Sequence, residues 1–166
     1  MTWRSRVALL EQRLDNQRGG LGLAWRELAH PAWKAQRLFC RRPDADLSVP
    51  LRWLLGRGEG STPAGDDMLL GALLAHWALG VPDSALRLAL SALRPEWPAL
   101  TTELSMSYLD AALEGDFAGH LLSLATAVRG AGAASRLGWR VDRVQAHGHS
   151  SGLDCLLGFL LVARQA

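Results

Sequence analysis

At 166 residues the chain is long enough to bury a sizeable core within one domain. Its formal net charge of +2, with arginines spread along the sequence, offers no basic stripe for nucleic acid and stays compatible with a small anionic ligand. Its 33 leucines, against 7 valines, 5 threonines and no isoleucine, tilt it towards helix. One lysine beside 17 arginines, and a single asparagine, fit the coding bias of a GC-rich genome, which weakens arginine richness as a functional sign. Cys40 and Cys155 fit no metal or redox spacing, and the M-T-W-R-S-R start has no hydrophobic signal core. A cytoplasmic protein with reduced thiols is the expectation.

In chain order, residues 3–18 predict an amphipathic helix with Val7, Leu10 and Leu14 inward, stopped by Gly19-Gly20. Residues 23–39 predict a second, kinked or divided by Pro31. A polar turn follows at 41–47. Ser48 is then placed to cap a short helix with Pro50 in its first turn and Gly56 as its stop. We divide the chain on this basis into an N-terminal helical segment, 1–47, and a helical core, 48–166, within one domain.

Helix 66–79 is apolar almost all round, which marks it as central. Residues 84–94 predict another helix, closed by Pro95 and Pro98. Thr101 or Thr102 should cap the next, which runs to Glu114 and stops at Gly115. Asp116 should cap one that ends near Arg129 and Gly130. Residues 132–137 read as helical and 139–144 as a weak extended segment that does not count against an all-α fold. A last helix covers 151–162. The apolar runs 68–79 and 153–162 fall well short of the ~20 residues of a membrane span. The expected fold is an all-α, single-domain bundle with no membrane or nucleic-acid partner.

Two glycine-rich loops organise the core. Residues 56–71 read G-R-G-E-G-S-T-P-A-G-D-D-M-L-L-G, and residues 148–158 read G-H-S-S-G-L-D-C-L-L-G. Aligned on Gly65 and Gly152, both end in G-x-D-x-L-L-G, which pairs Asp67 with Asp154 and Gly71 with Gly158. An ordinary turn does not require that repetition. Each loop should open a buried helix, and the two should converge on one pocket. Gly58, Gly60, Gly65, Gly148 and Gly152 would let backbone N–H groups gather at the helix N-termini, as an anion site needs. Ser61, Thr62, Ser150 and Ser151 add hydroxyls. Thr101, Ser105 and Tyr108 share one helical face, and Thr101 and Ser105 are expected at the pocket edge.

Asp66, Asp67 and Asp154 fall in first helical turns, where capping and the helix dipole account for a carboxylate. A phosphate about 4 Å from one would meet roughly 4 kcal/mol of repulsion per unit-charge pair at an effective dielectric of 20. Either these aspartates brace the loops or bind a substrate amide, or they hold Mg²⁺ against the anion. Bracing or amide binding is the expectation, with no resident cofactor. His149 lies inside the repeated motif and is the candidate catalytic histidine beside Asp66, Asp67 and Asp154. His30, His76 and His120 read as packing residues. A Ser150–His149–Asp154 triad would demand a geometry that neighbouring loop residues rarely reach.

The first motif resembles the G-x-G-x-T-P-S-G-D-D-x-x-x-G signature of the family containing the AllH-type subunit of oxamate carbamoyltransferase. Residues 101–117, T-T-E-L-S-M-S-Y-L-D-A-A-L-E-G-D-F, resemble that family's middle block, and residues 148–158 its closing G-x-S-S-G-x-D-x-x-x-G. Ala64 departs from it, standing where the family often has Ser. The resemblance spans residues 51–162. It implies a transferase subunit of anaerobic allantoin (purine) breakdown, converting oxalurate and phosphate to oxamate and carbamoyl phosphate. It also implies partner subunits or a homo-oligomer. Two other functions fit the loops: a Mg-dependent all-α hydrolase similar to ADP-ribosylglycohydrolases, and a non-catalytic ligand-binding or assembly subunit.

Overall fold

The computed structural model describes residues 1–81, 83–130 and 136–166. Among these there are α-helices and short 3-10 turns and no strand. In order they are α1 (Trp3–Leu14), α2 (Trp25–Leu28), a 3-10 turn (Gln36–Phe39), α3 (Ser48–Leu54), α4 (Ala64–Ala78) and α5 (Ala85–Ala92). A second 3-10 turn (Arg94–Glu96), α6 (Trp97–Leu100), α7 (Glu103–Leu113), α8 (Gly119–Arg129), α9 (Leu137–Gln145) and α10 (Ser151–Ala163) follow.

The two helices opened by the glycine-rich loops, α4 and α10, form the centre. Nearly every residue of each is buried, because both are apolar around the whole circumference. Helices α7 and α8 pack on α4, while α9, α1 and α2 pack on α10, and α8 touches α9. The N-terminal segment is tied into this core. The Trp3 indole donates to the Ala163 carbonyl at 3.0 Å, and the Arg41 N–H donates to the Gln165 side chain at 3.1 Å.

Several local expectations are corrected. Helix α1 ends at Leu14, where the poor helix formers Asp15 and Asn16 give way to a turn. Residues 23–39 hold one helical turn and one 3-10 turn, since Pro31 lacks an N–H and restricts His30. Asp46, not Ser48, caps the start of α3: its carboxylate accepts from the Ser48 N–H (2.9 Å) and hydroxyl (3.0 Å). Pro95 and Pro98 start short helical turns instead of closing α5, because proline fits a first turn whose N–H groups are unpaired. Thr102 caps α7. Helix α8 starts at Gly119, without Asp116 as its cap, and ends as expected on left-handed Gly130. Residues 139–144 are helical, with Val141 and Val144 buried on one face. The expectation for 132–135 lies outside the described residues.

Candidate functional site

The contact between α4 and α10 repeats itself. A Cβ on Gly71 would stand 1.9 Å from the Cys155 carbonyl oxygen, and one on Gly158 would stand 1.9 Å from that of Met68. Met68 and Cys155 are counterparts under the alignment that pairs Gly65 with Gly152, so the two helices are related by a pseudo-twofold. Their N-termini follow suit. Gly65 abuts the Leu54 carbonyl at the end of α3, and Gly152 abuts the Val144 carbonyl near the end of α9. The repeated unit is a short helix, a glycine loop and a buried helix.

The loops meet. The Thr62 and Ser151 hydroxyls hydrogen-bond at 2.7 Å on the wall of a cavity of about 640 Å³. Of the expected site residues, Ser61, Thr62, Asp67, Gly148, Ser151 and Gly152 line it. Gly58, Gly60, Gly65, Asp66, Thr101, Ser105, His149, Ser150 and Asp154 do not. His149 is exposed and points to no part of the lining, since the loop closes through Gly148 at positive φ and a Gly152 N–H bond to the His147 carbonyl. Ser105 is buried with its hydroxyl unpaired. The face of α7 on the cavity is instead Leu104, Tyr108 and Ala111, joined by Asp116, Phe117 and Ala118 before and at the start of α8.

The three aspartates divide the work. Asp66 is a brace: its carboxylate accepts from the Gly56 N–H at 2.8 Å and from the Thr101 hydroxyl. Asp154 is a second brace, accepting from the Gly20 N–H at 2.9 Å. Asp67 faces the cavity, and its buried Oδ2 has no hydrogen-bond partner. Burial pushes the Asp67 carboxyl up to about 7; the Ser151 and Thr62 hydroxyls oppose this, and the charges of Asp154 and Asp66 add to it. Burial likewise pushes Asp154 up to about 6, against the Gly20 N–H and the Ser150 hydroxyl. Among the described residues no group of three His, Cys, Asp or Glu is arranged to hold a metal ion, so Asp66, Asp67 and Asp154 are not gathered into one.

Other groups on the cavity were not legible. His120 and His147 stack with ring centroids 3.6 Å apart. Burial, then His147 and Arg143, lower the His120 pKa. Cys155 also lines the cavity, but burial and then Asp67 and Asp154 raise its thiol pKa strongly, so it is no nucleophile near neutral pH. The stacking of two histidines distant in sequence leaves no local signal. Gly19-Gly20 did leave one, as a glycine pair beyond a helix, but its role is larger than a stop. A Cβ on Gly19 would stand 2.1 Å from Asp154 Oδ1, and one on Gly20 would stand 2.7 Å from the Ala64 Cβ. The pair packs its bare backbone on Asp154.

The fold and cavity define an all-α protein built on an internal duplication, with one repeat aspartate closed off and the other open to a pocket. The family model described as oxamate carbamoyltransferase subunit AllH matches residues 54–163, and the chain belongs to that family. No solved structure matches the chain. No helix among the described residues is long and apolar enough to cross a membrane.

Proposed function

We propose that the chain serves as an oxamate carbamoyltransferase subunit whose cavity takes the amide-bearing end of oxalurate or oxamate at Asp67. The observation that carries this reading is the pseudo-twofold. At Asp154 the neighbouring surface is Gly20, which touches Ala64 and donates a backbone amide N–H to the carboxylate. The counterpart of Ala64 is Ser151 and that of Asp154 is Asp67, and both line the cavity. The place that a backbone amide fills in one repeat is therefore open to the cavity in the other, although each carboxyl keeps one buried oxygen without a partner. A ligand amide N–H directed at Asp67, with the Thr62 and Ser151 hydroxyls beside it, would reproduce the contact.

A carboxyl poised near 7 also suits proton transfer. In phosphorolysis, a phosphate oxygen bonds to the ureido carbon of oxalurate as the bond from that carbon to the amide nitrogen breaks. Neutral Asp67 gives its proton to the departing nitrogen and recovers one from hydrogen phosphate, so protons balance. The test is turnover by the chain assembled with its companion subunits. Asp67→Asn, in an enzyme that still assembles, should lower kcat by about 10²–10⁴. Wild-type turnover in that variant would remove this reading.

A further inference from the structure

We propose that the stacked imidazoles of His120 and His147 bind the phosphoryl group of phosphate or carbamoyl phosphate, together with free backbone N–H groups of the two glycine loops. This rests on the functional reading above, in which phosphate is a reactant.

No lysine or arginine lines the cavity among the described residues, and positions 82 and 131–135 carry none in the sequence. His120 and His147 are therefore the lining side chains able to take a positive charge. They come from separate elements. His120 lies in the first turn of α8, and His147 follows α9 at the foot of the second loop, one residue before Gly148. Their rings are parallel to within 8°, with centroids 3.6 Å apart. Such a stack accepts one proton readily and a second poorly, because the second would set like charges face to face. It supplies one positive charge when an anion stabilises that charge.

The loops supply the neutral donors. Ser61, Thr62, Gly148 and Ser151 line the cavity, and their backbone N–H groups have no hydrogen-bond partner among the described residues. Unpaired N–H groups of a glycine-rich loop beside a helix N-terminus are suited to phosphate oxygens. Asp67 points to a ligand independently: it is 5% exposed, lines the cavity and keeps Oδ2 without a partner. Protonated, as burial favours, its carboxyl donates to an anion instead of repelling it.

Other charged groups border the pair. Asp116 lines the same cavity, while Arg140 and Arg143 share a smaller one with His120. Arg140 donates to the Ser123 carbonyl at 2.7 Å, and Arg143 lies 5.0 Å over the Trp139 ring. Burial, then His147 and Arg143, lower the His120 pKa, so that ring is neutral near pH 7 until a dianion lies against it.

NMR of the histidine-labelled chain, titrated over pH with and without saturating inorganic phosphate, tests this in the wild type. Phosphate should raise the His120 midpoint by about one unit, a tenfold gain in proton affinity, and shift the Gly148 and Ser151 amide signals. By calorimetry, His120→Asn and His147→Asn should each weaken phosphate binding more than about tenfold, while His149→Asn, off the cavity, should leave it unchanged. If either variant fails to fold, the wild-type midpoint decides. A His120 midpoint indifferent to phosphate would overturn the proposal, as would wild-type affinity in both cavity variants or an equal loss in His149→Asn. Lost turnover in Asp67→Asn beside normal phosphate binding by both cavity variants fails this proposal alone. Normal turnover in Asp67→Asn, with the His120 midpoint still raised by phosphate, fails the functional reading alone.

Discussion

Gly71 rests on the carbonyl oxygen of Cys155, with 1.9 Å between that oxygen and the place a Cβ would occupy. The opposing atom is helix backbone, so no rotamer change can relieve a side chain there. Gly71→Ala should therefore push α4 and α10 apart and cost about 3 kcal/mol, the upper range for overpacking, or roughly 6–12 °C in Tm. Gly158→Ala, facing Met68 in the mirror contact, should cost a similar amount. Gly119→Ala is the control: nothing lies within 4 Å of its Cβ position, and it should be neutral or slightly stabilising. Thermal denaturation of the three variants decides it, and a Gly71→Ala protein as stable as Gly119→Ala would refute the close contact.

Adjacent threonines should behave differently. The Thr101 hydroxyl bonds to the buried Asp66 carboxylate, whereas Thr102 caps α7 and donates to the Ser61 carbonyl at 2.5 Å in a more exposed setting. Thr101→Val removes a charge-assisted bond from a buried group and should cost about 1.5–3 kcal/mol. Thr102→Val should cost about 1 kcal/mol, as a lost cap does. Urea titrations that gave the reverse order would show that Asp66 does not depend on Thr101.

The duplication was readable because it lies in spacing. G-x-D-x-L-L-G fixes a small residue where backbones touch and a carboxyl in the first turn, and both helices then have no polar face to expose. The all-α fold and the order of most helices followed from leucine periodicity and from glycine stops such as Gly115 and Gly130. The division of roles among Asp66, Asp67 and Asp154 was not readable, because each partner is remote in sequence. Thr101 lies far from Asp66, and Gly20 lies a chain's length from Asp154. Asp116 misled for a related reason: it has the composition of a cap but sits two residues before the cap position Ala118, turned towards the cavity.

Gly19 and Asp154 should be coupled. A Cβ at Gly19 would stand 2.1 Å from Asp154 Oδ1 and 2.9 Å from the Leu157 Cδ1. Gly19→Ala should destabilise by about 1–3 kcal/mol in the wild-type background. With Asp154→Ala already present, the carboxylate oxygen is gone and the added cost should fall by more than about 0.5 kcal/mol. A double-mutant cycle of unfolding free energies measures this. Strict additivity would mean that the Gly19-Gly20 backbone does not pack on Asp154.

The pH dependence of stability should carry the mark of Asp67. Its carboxyl ordinarily titrates at 3.8 and is raised to about 7 in the fold. The stability it contributes is fully present below its unfolded value and is lost as pH rises through about 7. Asp154 acts with the same sign and is complete by about 6. His76, buried with both ring nitrogens unpaired, acts oppositely: burial lowers it from 6.5 to about 4, so its contribution is present above 6.5 and lost as pH falls through about 4. Above pH 6.5 only Asp67 of these three still changes its charge in the fold to any extent, and stability should decline towards pH 8. Asp67→Asn cannot ionise. Relative to wild type it should gain roughly 2–3 kcal/mol between pH 5 and pH 8, since each pKa unit is worth about 1.4 kcal/mol. Urea unfolding of both proteins at pH 5, 6.5 and 8 supplies the comparison, and a difference that stays constant across that range would show that Asp67 ionises freely in the folded chain.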